Sequence, residues 1–489
     1  MKRLLFPLVL LPAVALAQEA PVEATPVETP ALVEHAIDVS TDLRAEYIQG
    51  EPVLVRFTVA NTSLQTANFA DLAARPWLVR FELVDKAGKK TTWYTTPPDE
   101  DPGGSWSIPP RGQRKVLLEI PSSARLKNGS YTLTVQMQNG EESVSLPTHS
   151  LRIAAANPVH GDTLYEPDGI ERYGHQAIWL HDAADGYDLY LHHADGRDPS
   201  RLIADYHLMH LDSPIEPVLT AARAQERWSR YIAWQSGPRT IEYVRLENHE
   251  IRGETGRFET PYPTVELFGR PSTDADGGLH VPIWVPAPQG AAGEVMVVSL
   301  QGREGPEYRT IARMDAKPDW TASTVDNGGN LRLLLSQDGN VDVYNVAAGT
   351  SLPGAGKRLH KSDDTTPLMG SFGYLKSTPT RAGGLAVLVL FDIGADLAEA
   401  RWIGLDGEVV EVFGAAPLPK GGEIEQMVQV GDGFAALHRG EATRVLLPGS
   451  DALVIGPVTQ LVARNEDVWV RSIEKGGPVK SRPLKAEAP

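Results

Sequence analysis

Histidine is concentrated in one short part of the chain, where seven of its 13 histidines lie: His160, His175, His181, His192, His193, His207 and His210. Imidazole nitrogens bind zinc, copper and nickel, so His207 and His210 are candidate ligands of a transition metal. Side chains alternate along a strand, which predicts His207 on one face and His210 on the other. No His-Glu-x-x-His pattern adds a general base. The spacing therefore favours ordinary surface or hairpin histidines over a metal site.

The densest aromatic stretch is Arg227 to Trp234. In a strand, Trp228, Arg230 and Trp234 share one face. If that face is exposed, these residues form a stacking platform for sugar rings or a binding patch for a protein. If it is buried, they belong to a core, which is the preferred alternative. Trp228, Arg230 and Trp234 are kept as the candidate ligand- or partner-binding residues.

Two glycine-containing loops place carboxylates close together, at Asp274 to Gly278 and at Asp182 to Asp188. Such loops can bind Ca²⁺, but neither follows the twelve-residue calcium pattern. Ordinary turns are therefore expected, and no cofactor is expected. No Gly-x-Ser-x-Gly elbow is present. A pair of distant carboxylates could still support glycoside hydrolysis, which keeps a propeller-type glycoside hydrolase or lyase as the alternative function.

The N-terminus predicts export. Met1-Lys2-Arg3 is basic, residues 4–15 are almost entirely apolar, and Ala15-Leu16-Ala17 has the small-x-small pattern of a cleavage site. Residues 1–17 are therefore predicted to be a signal peptide, and the Pro/Glu-rich residues 18–34 a flexible linker. The chain has no cysteine, which excludes disulfides and a lipid-anchored mature N-terminal cysteine. A periplasmic, cell-surface or secreted protein is expected.

Composition limits the partners. The formal charge of −17 argues against nucleic acid, which needs clustered Lys and Arg. After the signal peptide no apolar run is long enough for a transmembrane helix. The 45 Gly and 38 Pro exceed average usage and predict many short elements joined by tight turns.

Residues 35–157 alternate with period two. Val53, Val55, Phe57 and Val59 predict a strand with one apolar face, and further strands follow every 8–12 residues or so, the pattern of a β-sandwich. Two phrases, Gly50 to Val53 leading into Phe57 to Asn61, and Asn128 to Leu133, resemble bacterial immunoglobulin-like domains. That resemblance implies a spacer or adhesive module without catalytic residues.

Residues 158–475 continue as strands joined by Asp-Gly turns such as Asp338-Gly339. Ser213 to Arg227 is the one candidate for a short helix or a long loop. At roughly 40–50 residues per four-stranded blade, the segment looks like a β-propeller of about seven blades, without the Trp-Asp or Kelch signatures. A pair of further sandwiches is the alternative. Asp467 to Ile473 is expected to pair with the first blade, and residues 476–489 to form a flexible tail.

The sequence therefore predicts an all-β exported protein with an N-terminal immunoglobulin-like β-sandwich and a C-terminal β-propeller. Its expected function is non-catalytic: a binding or scaffold protein of the bacterial cell envelope that presents propeller loops to a protein or glycan partner. The sequence does not define the oligomeric state.

Overall fold

The computed structural model describes most of the chain after residue 36, and the predicted signal peptide and linker lie outside it. The described residues are 37–99, 101, 103–139, 142–164, 175–194, 202–224, 227–247, 250–251, 255–274, 276–288, 291–300, 305–326, 328–347, 355–362, 365–375, 383–430, 433–454, 458–464, 467–473 and 479–484. This part is all-β apart from two single-turn 3₁₀ helices, Pro76–Leu78 and Ser123–Arg125. None of its helices is long and apolar enough to cross a membrane.

The N-terminal domain contains eleven strands in the described residues: β1 (Ile37–Asp42), β2 (Glu46–Ile48), β3 (Leu54–Asn61), β4 (Ala67–Ala70), β5 (Val79–Asp85), β6 (Lys90–Tyr94), β7 (Ser105–Ile108), β8 (Gln113–Glu119), β9 (Gly129–Asn139), β10 (Glu142–Ser145) and β11 (His149–Ala154). One sheet has the order β1-β3-β8. The other has the order β2-β11-β9-β5-β6, with β10 also on β9, and β4 pairs with β7 in a separate ribbon. Among the strands that the structure describes, only β2 and β11 pair in parallel.

The two larger sheets share one apolar core, as the alternating sequence predicts. Val53, Val55, Phe57 and Val59 are fully buried, whereas Leu54 between them is 37% exposed. Val135 of β9 and Phe81 of β5 belong to the same core. Because the side-chain period of a strand is two, this register places every second residue of β3 in the core.

The rest of the chain forms seven consecutive sheets in the described residues. The first sheet contains β12 (Pro158–Leu164), β13 (His175–Ala183), β14 (Gly186–Ala194) and β15 (Leu202–Leu211); the second contains β16 (Val218–Ala224), β17 (Arg227–Gln235), β18 (Thr240–Glu247), β19 (Glu250–Ile251) and β20 (Gly256–Glu259); and the third contains β21 (Glu266–Leu267), β22 (Ser272–Thr273), β23 (Leu279–Pro286), β24 (Gly293–Leu300) and β25 (Glu307–Met314). The fourth sheet contains β26 (Trp320–Val325), β27 (Leu331–Gln337), β28 (Asn340–Val346) and β29 (Lys357–His360), and the fifth contains β30 (Thr366–Leu375), β31 (Gly384–Asp392), β32 (Leu397–Gly404), β33 (Val409–Val412) and β34 (Ala416–Pro417). The sixth sheet contains β35 (Glu423–Val430), β36 (Gly433–Arg439), β37 (Thr443–Leu447) and β38 (Ser450–Val454), and the seventh and last contains β39 (Val458–Arg464), β40 (Asp467–Ile473) and β41 (Val479–Pro483).

These sheets are arranged around a ring. Each is an antiparallel meander, and contacts run from β12 to β16, then through β22, β26, β30 and β35 to β39, which contacts β12 again. The ring is formed by neighbouring sheets that pack side by side, which is the β-propeller architecture. It joins the N-terminal domain between β11 and β12.

Three expectations for this region are wrong. The predicted helix or loop at Ser213 to Arg227 contains the strand β16 and the start of β17. The predicted tail after residue 475 contains β41, which pairs with β40. Asp467 to Ile473 is β40 itself, and it pairs with β39 and β41 rather than with the first sheet. β39 makes the closing contact instead.

Side chains on the inner strands bind the backbone of the neighbouring sheet. The Gln426 amide of β35 donates to the carbonyl oxygen of Leu461 in β39 at 3.0 Å and accepts from the Leu461 N–H at 2.8 Å. Trp320 of β26 donates to the Pro367 carbonyl of β30 at 3.2 Å. These bonds link sheets that share no strand pairing.

We expect Gln426→Leu to lower the free energy of unfolding by about 1–3 kcal/mol, because both backbone groups of Leu461 lose their partner. Denaturant unfolding would measure the loss, with Gln113→Leu on the exposed face of β8 as the matched control. Equal stability of the two variants would contradict a bridging role for Gln426.

Candidate functional site

The first ring sheet, β12 to β15, has two faces of different character. Ile178, Leu180, Leu189 and Leu191 pack against the second sheet in an apolar cluster. The strand register places polar and aromatic residues on the opposite face: Trp179, His181, Asp188, Tyr190, His192, Asp205, His207 and His210. The histidine concentration of the sequence is therefore largely the polar face of one sheet.

His207 and His210 lie on the same side of this sheet, so the prediction of opposite faces is wrong. Asp188 pairs with His210 and Tyr190 with His207, which leaves Leu208 as the extra residue of a β-bulge. Both imidazoles then reach one carboxylate oxygen: Asp188 Oδ1 lies 3.1 Å from His207 Nε2 and 3.0 Å from His210 Nδ1.

This arrangement is an ion-pair cluster. Burial alone would raise the pKa of Asp188, but hydrogen bonds and charges from His207 and His210 outweigh it and lower that pKa to about 2. The hydrogen bond with Asp188 raises the pKa of His210. Within the described ranges, no group of three or more His, Asp, Glu or Cys side chains is arranged to hold a metal ion. The metal site at His207 and His210 stays a prediction without structural support.

Asp205 is the buried centre of the same face. Its Oδ1 accepts hydrogen bonds from Trp179 Nε1 at 3.0 Å and from His192 Nδ1 at 2.8 Å. Burial lowers the pKa of His192, and the opposing charge of Asp205 does not fully offset this. A neutral His192 that donates from Nδ1 therefore fits the site at neutral pH.

Arg471 of β40, in the last sheet, interacts electrostatically with Asp205. Its side chain is fully buried, and burial lowers its pKa to about 10 while the charge of Asp205 opposes that shift. Arg471 thus remains protonated at neutral pH. Charged and polar groups consequently meet where the last sheet meets the first. The other six pairs of neighbouring sheets meet in apolar clusters.

The N-terminal domain docks onto the polar face of the first sheet. Gly50, with a φ of 104° that glycine adopts without steric cost, accepts the backbone N–H of Asp205 at 2.8 Å. The Tyr190 hydroxyl donates to Glu51 Oε2 at 3.3 Å. Ile48 and Ala156 complete a small apolar cluster with Trp179 and Tyr190.

Glu51 is a buried carboxylate with several partners. It is 3% exposed, it forms an ion pair with Arg44, and it accepts the Ile48 N–H at 3.0 Å. Burial raises the pKa of Tyr190, so the phenol stays protonated and can donate. We refer to Gly50, Glu51, Tyr190, His192, Asp205 and Arg471 as the junction site.

The connection between the two domains is fixed by a separate set of hydrogen bonds. The Asn157 backbone N–H donates to His181 Nδ1 at 2.8 Å, and the Asn157 side-chain amide donates to Asp182 Oδ2 at 3.0 Å. Burial lowers the pKa of His181, which favours the neutral ring that this acceptor role requires. Both carboxylates at the ends of the candidate calcium loop therefore bind protein groups: Asp182 binds Asn157, and Asp188 binds His207 and His210.

The aromatic stretch is largely core. Trp234 is 1% exposed and packs between the first and second sheets, and Arg230 is 4% exposed. An indole buried in this way offers no face to a sugar ring or a protein, so Trp234 is not retained as a ligand-binding residue. The side chain of Trp228 lies outside the described part of the structure.

The second candidate calcium loop closes a turn. Asp274 Oδ1 accepts the N–H groups of Asp276 at 2.9 Å and Gly278 at 2.7 Å. Its Oδ2 contacts His280 Nε2 at 3.0 Å, and His280 Nδ1 contacts Ser299 Oγ at 2.9 Å. The chain of contacts from Asp274 through His280 to Ser299 resembles a catalytic triad, but Ser299 is only 2% exposed and has no access to a substrate. These bonds hold the turn between β22 and β23.

Comparison with known proteins adds little. No protein-family model matches the chain, and no curated protein matches it. Among solved structures, a fucose-binding lectin of the fungus Aleuria aurantia, described as a six-bladed β-propeller, is 10% identical, with a TM-score of 0.34 over 60% of this chain and 96% of the lectin. A eukaryotic initiation factor is also 10% identical, with a TM-score of 0.28 over 83% of this chain and 96% of its own. Similarity at this level carries no information about ligand or activity.

We expect Tyr190→Phe to destabilise the protein by about 1–3 kcal/mol, because the buried Glu51 carboxylate loses a donor. Tyr94→Phe, at a 56% exposed tyrosine, is the control and should be nearly neutral. Denaturant unfolding of both variants measures the difference. A neutral Tyr190→Phe would show that the Tyr190–Glu51 contact does not join the domains.

Stability should fall as the pH drops below about 6.5. Because the folded-state pKa of His192 lies below its ordinary value of 6.5, the unfolded chain binds the proton more readily in this range. His192→Asn keeps a polar group at the Nδ1 position and removes the titration. The loss of stability between pH 7.5 and pH 5.5, measured by urea unfolding, should therefore be smaller in His192→Asn. An unchanged loss would exclude His192 as its source.

Proposed function

We propose that this chain is an exported, non-catalytic binding scaffold of the cell envelope. In this proposal a seven-bladed propeller presents its loops to a glycan or a protein, and an immunoglobulin-like sandwich holds the propeller at a fixed orientation. A scaffold acts through the geometry that it maintains, so the function depends on how the two domains are joined.

The observation that supports this function most directly is the junction site. Domain interfaces within a chain are usually polar enough to slide or rotate, so relative motion is the ordinary expectation. Here a buried carboxylate, a buried backbone hydrogen bond and an apolar cluster join the sandwich to the first sheet. Any rotation between the domains would break the Tyr190–Glu51 and Asp205–Gly50 hydrogen bonds, and each buried donor left unpaired would cost about 1–3 kcal/mol.

The blade count, the sandwich assignment and export are each supported by a different feature of the chain. Seven consecutive meanders, linked in a ring by β12 and β39, support seven blades. Two sheets around one alternating core support the immunoglobulin-like assignment. The basic, apolar and small-residue pattern of residues 1–17 supports export.

Crosslinking and affinity capture of the full-length protein from its native envelope would test the binding function. We expect one or a few specific partners, and purified protein on a glycan array should separate a glycan from a protein partner. Failure to bind any partner in both experiments, together with turnover of a glycoside substrate, would replace the scaffold proposal with the hydrolase alternative.

Export is tested independently. The mature protein should begin at Gln18, and replacing Ala15 and Ala17 with bulky residues should block processing, because the peptidase requires small side chains there. N-terminal sequencing of the protein from the exported fraction measures this. A mature protein that retains Met1 and stays in the cytoplasm would contradict the proposal.

A further inference from the structure

The chain passes from the sandwich to the ring through a short connection that one histidine holds in place. Only residues 155–157 lie between β11 and β12. The Asn157 backbone N–H donates to His181 Nδ1 at 2.8 Å, and the Asn157 carbonyl oxygen accepts the Asp182 N–H at 2.9 Å. The Asn157 side-chain amide donates to Asp182 Oδ2 at 3.0 Å. These three bonds to β13 fix the point at which the sandwich leaves the ring.

The bond from Asn157 to His181 requires a neutral imidazole. A neutral imidazole has one donor and one acceptor nitrogen, whereas a protonated one has two donors. Protonation of His181 would therefore turn an N–H group toward the N–H group of Asn157. The His181 ring is 8% exposed and makes edge contacts with Trp179 and Tyr190, each at a centroid distance of 6.4 Å. It cannot rotate to another partner without displacing these packed rings.

The groups around His181 allow it to change charge in mild acid. The carboxylates of Asp182 in its own strand, Asp188 in β14 and Glu46 in β2 interact electrostatically with the ring and favour its protonation. Burial opposes them and prevails, so the pKa of His181 lies below its ordinary value of 6.5. Two of these carboxylates also have basic partners, namely Arg152, His207 and His210. Because the released ring has the higher pKa, a falling pH favours release of the connection.

We propose that the His181–Asn157 hydrogen bond is an acid-sensitive latch, which holds the sandwich at one orientation at neutral pH and is released when His181 binds a proton. The proposal rests on the fixed orientation proposed above and adds its regulation. The contacts of Gly50 and Glu51 remain, so release widens the range of orientations without separating the domains.

The test is the distance between the two domains in the full-length protein. The chain has no cysteine, so spin labels on Ala87→Cys in the sandwich and Asp315→Cys after β25, both at exposed positions, report one distance. We expect double electron–electron resonance to give a narrow distance distribution at pH 7.5 and a broader one at pH 5.5. The change should reverse on return to pH 7.5, and the near-ultraviolet circular dichroism should be the same at both pH values.

The other outcomes separate the latch from the scaffold. A distribution that is equally narrow at both pH values would overturn the latch and leave the scaffold function intact. A distribution that is already broad at pH 7.5 would contradict both, because the orientation would not be fixed. Loss of the circular dichroism signal at pH 5.5 would show unfolding in place of release and would also overturn the latch.

Three variants identify the group that binds the proton. His181→Asn keeps an acceptor near the Nδ1 position without titrating, so its distribution should stay narrow at both pH values. His181→Phe keeps a ring but has no acceptor, so its distribution should be broad already at pH 7.5. His192→Asn is the matched control at a second buried histidine of the same sheet face and should broaden in acid. If His192→Asn abolishes the broadening and His181→Asn does not, the latch at His181 is wrong.

Amide hydrogen exchange gives a second measurement that needs no substitution. After correction for the intrinsic effect of pH, the protection of the Asn157 amide should fall about tenfold between pH 7.5 and pH 5.5, because its acceptor is lost. The Leu146 amide, which donates to the Val135 carbonyl oxygen at 2.8 Å within the sandwich, should lose less protection. An equal loss at both amides would overturn the latch.

Discussion

The buried carboxylate of Asp205 is the point on which the rest of the structure depends. Its side chain binds Trp179 and His192 of its own sheet, its backbone N–H binds Gly50 of the N-terminal domain, and it interacts electrostatically with Arg471 of the last sheet. Asp205 therefore lies where the first sheet, the last sheet and the sandwich meet. A ring of separate sheets has to close somewhere, and here it closes at a buried carboxyl group.

Closing a ring with charges has a physical cost and a physical benefit. Apolar contacts such as those between the fifth and sixth sheets are non-directional, so they stabilise many similar arrangements. A buried charged side chain needs a compensating partner, and removing that partner from a buried pair costs about 3–5 kcal/mol. Separating the first and last sheets would move the buried Arg471 away from Asp205, so the electrostatic interaction between them favours one arrangement of these two sheets. The docking of Gly50 and Glu51 extends the same constraint to the sandwich.

Local patterns predicted much of the fold because they depend on neighbours in sequence. The alternation from Val53 to Val59 predicted a buried face, and Asp338-Gly339 predicted a hairpin whose two turn residues have positive φ values of 52° and 75°. The shared face of His207 and His210 was not predictable, because one bulged residue, Leu208, reverses the alternation. The junction site was missed for a different reason: Gly50, Asp205 and Arg471 are distant in sequence and no local motif connects them. The sequence signal for the junction site was the alternation of polar and aliphatic residues from Tyr187 to His192, which indicates a buried strand with one polar face.

Native-state hydrogen exchange on the full-length Phe57→Ala variant tests most directly whether the sandwich and the ring form one unit. Phe57 is fully buried in the sandwich core and lies outside the junction site. If the domains unfold together, the backbone amides of β13 and β14 should lose as much protection as those of β3, because both report the same opening. If β3 exchanges faster while β13 and β14 keep their original protection, the two domains unfold independently, and the junction site does not hold them in a fixed orientation.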